Sequence, residues 1–106
     1  MIIDPLHETA PEADDRRWGL PEDVGLLWKS WDEEVIVFNQ ASGQTHLLDA
    51  LSAAALRELE QHPRTLTELA GHLAEQYGLG PVDLGERLIG ICRRFDELGL
   101  AEPIDP

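Results

Sequence analysis
Sulfur, positive charge and aromatic rings are all scarce in this chain, and each scarcity closes off a class of function. Cys92 is the only cysteine among 106 residues, so no internal disulfide can form and the thiolates of a cysteine-built metal site are missing. It falls on the apolar side of a helical pattern and reads as a buried thiol. Lys and Arg number 8 against 21 Asp and Glu, for a formal charge of −13. Such a chain repels phosphate backbones and anionic membrane surfaces, which argues against nucleic acid and membrane as partners. No apolar run nears the roughly 20 residues that span a bilayer, and the N-terminus lacks the basic start and apolar core of a secretion signal. A cytoplasmic protein is expected. The aromatic residues Trp18, Trp28 and Trp31 have no Lys or Arg series interleaved with them, so packing accounts for them better than base stacking.

Catalytic patterns are missing as well. His7, His46, His62 and His72 are scattered with no His-x-x-x-His pair, and there is no Gly-x-Ser-x-Gly elbow, phosphate-cradling loop or Gly-x-Gly-x-x-Gly turn. No enzymatic activity and no cofactor are expected. The neighbouring carboxylates Asp32, Glu33 and Glu34 point to alternate sides of an extended chain and suit a solvated hairpin turn better than a metal site.

What is present is enough hydrophobic sequence, 42% of the chain, for one globular domain. Residues 1–17 hold Asp4, Glu8, Glu12, Asp14 and Asp15 with Pro5 and Pro11 and show no structural period, which reads as a flexible acidic arm. The domain is expected over 18–104. Val24 to Trp31 alternates as a first strand, and Glu34 to Asn39 is a β-branched, aromatic strand apolar on both sides, as a central strand covered on each face would be. After a turn over Asn39 to Gly43, the short, polar Gln44 to Leu48 suits the edge of a three-stranded antiparallel sheet. An edge carries a row of unpaired N–H and C=O groups that must be blunted or used to capture another chain.

Three helices follow. Asp49 can cap the first, whose Leu51, Ala54, Ala55, Leu56 and Leu59 share a face before Pro63 stops it. Thr65-Leu-Thr-Glu68 is a capping box for the second, with a stripe of Leu66, Leu69, Ala70, Leu73 and Tyr77 and a terminating Gly78. Asp83 is placed to cap the third, whose Leu84, Leu88, Ile91, Cys92, Phe95 and Leu98 form a broad apolar stripe, with Gly99 to end it and Leu100 to fold back onto the core. Three strands followed by three helices describe an α+β, winged-helix-like domain.

Two cations break the acidic pattern. At 100° per residue Arg87 and Arg94 lie on one border of the third helix's apolar stripe, roughly 60° to 80° from its centre. They are placed either to receive acidic side chains of a partner peptide or to pair with Glu86, Asp96 and Glu97 of the same helix. Arg93, on the opposite side, reads as solvated. His46, in mid-strand, is either an ordinary strand histidine or one that ligates a metal or hydrogen-bonds a bound segment.

Taken in order, Trp28-Lys-Ser-Trp-Asp-Glu-Glu-Val-Ile-Val-Phe-Asn, Ser42-Gly-Gln-Thr-His-Leu-Leu-Asp-Ala-Leu-Ser, Thr65-Leu-Thr-Glu-Leu-Ala with Tyr77, and Phe95-Asp-Glu-Leu-Gly-Leu resemble the PqqD-like peptide chaperones, also called precursor-peptide recognition elements. The Trp-Lys-Ser-Trp opening with Ser-Gly-Gln-Thr-His-Leu-Leu-Asp is most similar to the branch associated with an HPr-kinase-related protein. The resemblance covers about Trp18 to Ile104. It departs where relatives often have Asn and this chain has Asp49, and where an Asp-Gly turn often stands and this chain has His62-Pro63.

The resemblance implies a non-catalytic role in ribosomally made peptide (RiPP) and PQQ-related biosynthesis. In that role the leader of a precursor peptide is added as a strand beside the edge strand and presented to a modifying enzyme or an HPr-kinase-related protein. Carried onto this chain, it names Gln44, Thr45, His46, Leu47 and Leu48 as the strand and Arg87, Ile91 and Arg94 as the facing wall. A monomer or a homodimer is compatible with it. Two other readings stand beside it: a winged-helix transcriptional regulator, and an assembly subunit of a kinase-like complex that pairs through its edge strand.

Overall fold
The computed structural model describes residues 16–32, 34–78 and 80–104. Its elements in chain order are β1 (Arg17–Gly19), β2 (Leu26–Trp31), β3 (Glu34–Asn39), β4 (Gln44–Leu48), α1 (Ala50–Gln61), β5 (Arg64–Thr65), α2 (Leu66–Tyr77), α3 (Pro81–Leu98) and β6 (Glu102–Ile104). The expected α+β arrangement is present: an antiparallel sheet in the order β2–β3–β4, then three helices. A second small sheet, β5–β1–β6, joins the start of the domain, the α1–α2 connection and the end of the domain. The proposed acidic arm falls almost wholly outside the described residues, and β1 begins at Arg17.

The main hairpin follows from its turn chemistry. Gly43 takes a left-handed φ of 77° and donates its amide to the Asn39 carbonyl at 2.8 Å, a conformation that costs glycine little. The Asn39 side chain, buried, accepts from the Ala41 amide at 3.0 Å. With the turn fixed, β3 pairs with β4 from Asn39↔Gln44 to Val35↔Leu48, so Gln44, His46 and Leu48 share one side of the sheet and Thr45 and Leu47 the other. The first strand is shorter than expected, because Val24 donates to the Pro21 carbonyl in a turn and the ladder starts at Leu26.

One expectation for β3 is corrected. Val37 is fully buried beneath the helices, but the opposite side of the sheet is not covered among the described residues: Leu27 is 54% and Leu47 62% exposed there. Apolar residues on both faces of β3 therefore do not signal a sheet sandwiched between layers.

The helix ends obey local chemistry. Asp49 accepts the Ser52 amide at 2.8 Å, and the Thr65 hydroxyl accepts the Glu68 amide at 3.1 Å while the Glu68 carboxylate accepts the Thr65 amide at 2.9 Å. That backbone hydrogen bond holds the Glu68 carboxyl below its ordinary range. Gly78 and Gly99 end α2 and α3 in left-handed conformations. Helix α3 starts earlier than expected, with Gly80 as its cap and no side-chain cap bond. The fixed φ of Pro81 suits the first helical position, where no amide hydrogen is needed, and this leaves Asp83 within the first turn rather than capping it.

The core gathers Leu51, Ala55, Leu56 and Leu59 of α1, Leu66, Leu69, Ala70 and Leu73 of α2, and Leu84, Leu88, Cys92 and Phe95 of α3, closed by Trp18, Val37, Leu48 and Leu100. Leu100 is tied back by its amide to the Phe95 carbonyl at 2.8 Å. Tyr77, expected in the buried stripe, is 45% exposed. It sits in the last turn of α2 on the rim of a surface depression shared with Val35, Arg57 and Gln61. Trp28 is half-buried, with Arg57 stacked 4.2 Å from its ring centroid and its indole N–H donating to Glu60 at 3.0 Å. It is a packing residue, as the acidic surroundings suggest.

Burial pushes the Cys92 thiol up to about 12 from its ordinary 9.0. A raised folded-state value means that the stability it contributes is intact below pH 9.0 and is lost as pH climbs toward about 12. Wild type is therefore expected to lose up to about 1.4 kcal/mol per pH unit more than Cys92→Ala above pH 9, measured by urea unfolding at stepped alkaline pH. Parallel curves for the two proteins contradict this.

Candidate functional site
Strand β4 is an edge of the main sheet, and α3 runs beside it, leaving between them a groove of about 600 Å³. The groove is lined on the strand side by Thr45, His46, Leu47 and Leu48 and on the helix side by Arg87, Ile91, Arg94 and Leu98, with Phe95 among the lining residues. From first to last Cα the four lining residues Thr45 to Leu48 reach about 10 Å, and the eleven steps from Arg87 to Leu98 span about 16 Å of helix. The helix wall is therefore longer than the strand wall.

Of the residues expected at a site, seven line this groove: Thr45, His46, Leu47, Leu48, Arg87, Ile91 and Arg94. Gln44, exposed at the start of β4, belongs to the strand but is not in the lining. Gly90, Leu98 and Ser52 line it without having been singled out. Gly90 and Leu98 are three and eleven positions after Arg87, so helical spacing alone places them on the same side. Leu98 reads from sequence as core, and a glycine offers no chemistry to notice.

The electrostatics are local. Among the described residues neither Arg87 nor Arg94 makes an ion pair within 4.0 Å, so pairing with Glu86, Asp96 or Glu97 does not occur. Both guanidinium groups are exposed at the groove. On the strand side, the His46 Nε2 atom is covered and has no hydrogen-bond partner. The solvent-facing surface of α3 carries Asp83, Glu86, Asp96 and Glu97, all exposed, which does not suit insertion into a phosphate-lined groove. Among the described residues no group of three or more His, Cys, Asp or Glu side chains could hold a metal ion, and no helix is long and apolar enough to cross a membrane.

An antiparallel hairpin sheet whose β4 edge is walled by the last helix of a winged-helix-like domain offers an extended chain a place to add as a strand. The protein TbiB1, solved in complex with the TbiA(beta) leader peptide, superposes with a TM-score of 0.65 at 18% identity, over 83% of this chain and 99% of that one. Lasso peptide synthetase B1, solved with the leader peptide, gives 0.61 at 18% identity over 81% and 98%. At such identity the likeness is one of fold. No curated protein sequence matches the chain at a significant level. The sequence model of Coenzyme PQQ synthesis protein D (PqqD) matches residues 34–101, well over half of the chain, and the chain belongs to the PqqD family.

Proposed function
We propose that this protein is a non-catalytic peptide chaperone whose domain, 18–104, binds the leader of a ribosomally made precursor peptide by strand addition to β4 and presents it to a modifying enzyme. One observation carries the reading: among the described residues β4 is unpaired on one side, and it faces α3 across a groove. Family membership and the two superposed proteins, each solved with a leader peptide, support it. Main-chain hydrogen bonds along β4 supply sequence-tolerant affinity, and alternate side chains entering the groove supply selectivity. Each net hydrogen bond contributes about 0.5–1.5 kcal/mol, offset by the ordering of the peptide. Four or five, with one or two apolar anchors on Ile91, Phe95 or Leu98, give roughly micromolar binding, weak enough for release.

Within this reading the partner is a modifying enzyme or, following the Trp28-to-Trp31 and Ser42-to-Asp49 motifs, an HPr-kinase-related protein, and the chaperone works in the cytoplasm as a monomer or homodimer. Titrating isotope-labelled protein with leader-like peptides encoded beside its gene is expected to shift the amides of Gln44 to Leu48 and of α3. Unmoved amides across all such peptides would remove the proposal.

A further inference from the structure
The helix wall of the groove has an order to it. Arg87, Ile91, Arg94 and Leu98 follow one another four, three and four positions apart, so cation and apolar side chains alternate along one line. Arg87 and Arg94 stand about 10.5 Å apart along the axis with Ile91 between them. A strand added to β4 turns every second side chain toward that line, at intervals of about 6.7 Å, so its positions i, i+2 and i+4 span about 13.4 Å. The mismatch of about 3 Å is within the play of two long arginine side chains.

Resting on the reading of the groove as the leader site, we propose that it selects a leader segment of the pattern acidic–x–apolar–x–acidic. The apolar side chain packs on Ile91 and the carboxylates are taken by Arg87 and Arg94. Both cations are free for this among the described residues, being without an ion pair of their own. The rest of the molecule sharpens the choice. A chain of formal charge −13 repels an acidic segment almost everywhere, so the two guanidinium groups mark the place where such a segment is attracted. They also fix register, because a slip of two residues sets an apolar side chain against a cation and a carboxylate against Ile91. Asp49, which lines the same groove with its carboxylate engaged by the Ser52 amide, discourages a third acid.

The test uses fluorescein-labelled twelve-residue peptides that differ only in the central five positions: Glu-x-Leu-x-Glu, Gln-x-Leu-x-Gln, and the inverted Leu-x-Glu-x-Leu. Fluorescence anisotropy at low salt is expected to show the first binding about 10-fold more tightly than the second, from two exposed ion pairs, and more tightly than the third. In the Arg87→Gln/Arg94→Gln double variant the ratio of the first two affinities should fall from about 10-fold to about 1. Equal binding of Glu and Gln peptides to wild type, with β4 amides still shifting, overturns the acidic pattern and leaves the groove as the peptide site. No binding by any peptide and no β4 shift overturns both.

Discussion

Gly90→Leu is expected to yield a domain that melts a few degrees higher and has lost its peptide. Gly90 sits inside α3 on the groove side, and a Cβ built there meets nothing within 4 Å. Glycine in a helix interior costs about 0.5–1 kcal/mol relative to residues with a side chain, through the freedom it has in the unfolded chain, so leucine stabilises the fold. The same four carbons occupy groove space that an added strand needs. The expected loss of leader affinity is at least about 100-fold, equivalent to about 2.7 kcal/mol. Gly71→Leu in α2 is the control: that position is also exposed and open, and it is not in the lining of the groove. It should show the thermal gain with unchanged binding. Melting curves and peptide anisotropy on both variants decide the matter, and wild-type affinity in Gly90→Leu would move the site elsewhere.

The second large effect is structural. Glu58→Ala is expected to cost about 3 kcal/mol of stability, far more than an ordinary surface pair. Glu58 Oε1 lies 3.2 Å from Arg64 Nη2, and the two side chains are only 16% and 11% exposed. Attraction between the charges dominates this contact, because Glu58 Oε1 and Arg64 Nε are both covered without a well-aligned hydrogen bond. The guanidinium has two further neighbours, His72 Nε2 at 3.2 Å from Nη1 and His62 Nε2 at 3.3 Å from Nη2. An arginine can only donate, so these ring nitrogens are the accepting ones. Removing the carboxylate strands a nearly buried cation on β5, the strand whose Arg64 pairs with Trp18. Replacing both partners by apolar residues, Glu58→Leu with Arg64→Met, should recover most of the loss. Urea unfolding of the single and double variants is the measurement, and a cost below about 1 kcal/mol for Glu58→Ala would mean that water screens the cluster.

The contrast between these two regions explains what could be read from the sequence. The Thr65–Glu68 box, the Asp49 cap, the turn over Asn39 to Gly43 and the terminating Gly78 and Gly99 were legible because each is settled by chemistry within five residues. Arg87, Ile91 and Arg94 were legible as a line because helical spacing fixes which side chains share a face. The Arg64 cluster was not, since positions 58, 62 and 72 meet only after α1 and α2 have packed. Strands of three, two and three residues carry no period, so the sheet β5–β1–β6 left no trace in the sequence. Tyr77 and Asp83 were misplaced for a related reason: each obeys its local pattern, but where a helix meets or outruns its neighbours is decided elsewhere in the chain.

Arg17 stands opposite Ile104 in the β1–β6 ladder, with Cα atoms about 5 Å apart as in any antiparallel pair. The chain thus enters and leaves this domain through one doorway, on a sheet distinct from the one that offers β4. A tether attached at either side would pull on the doorway rather than on the groove, and the whole unit can be spliced between two neighbouring residues of a host loop with β4 left as an edge.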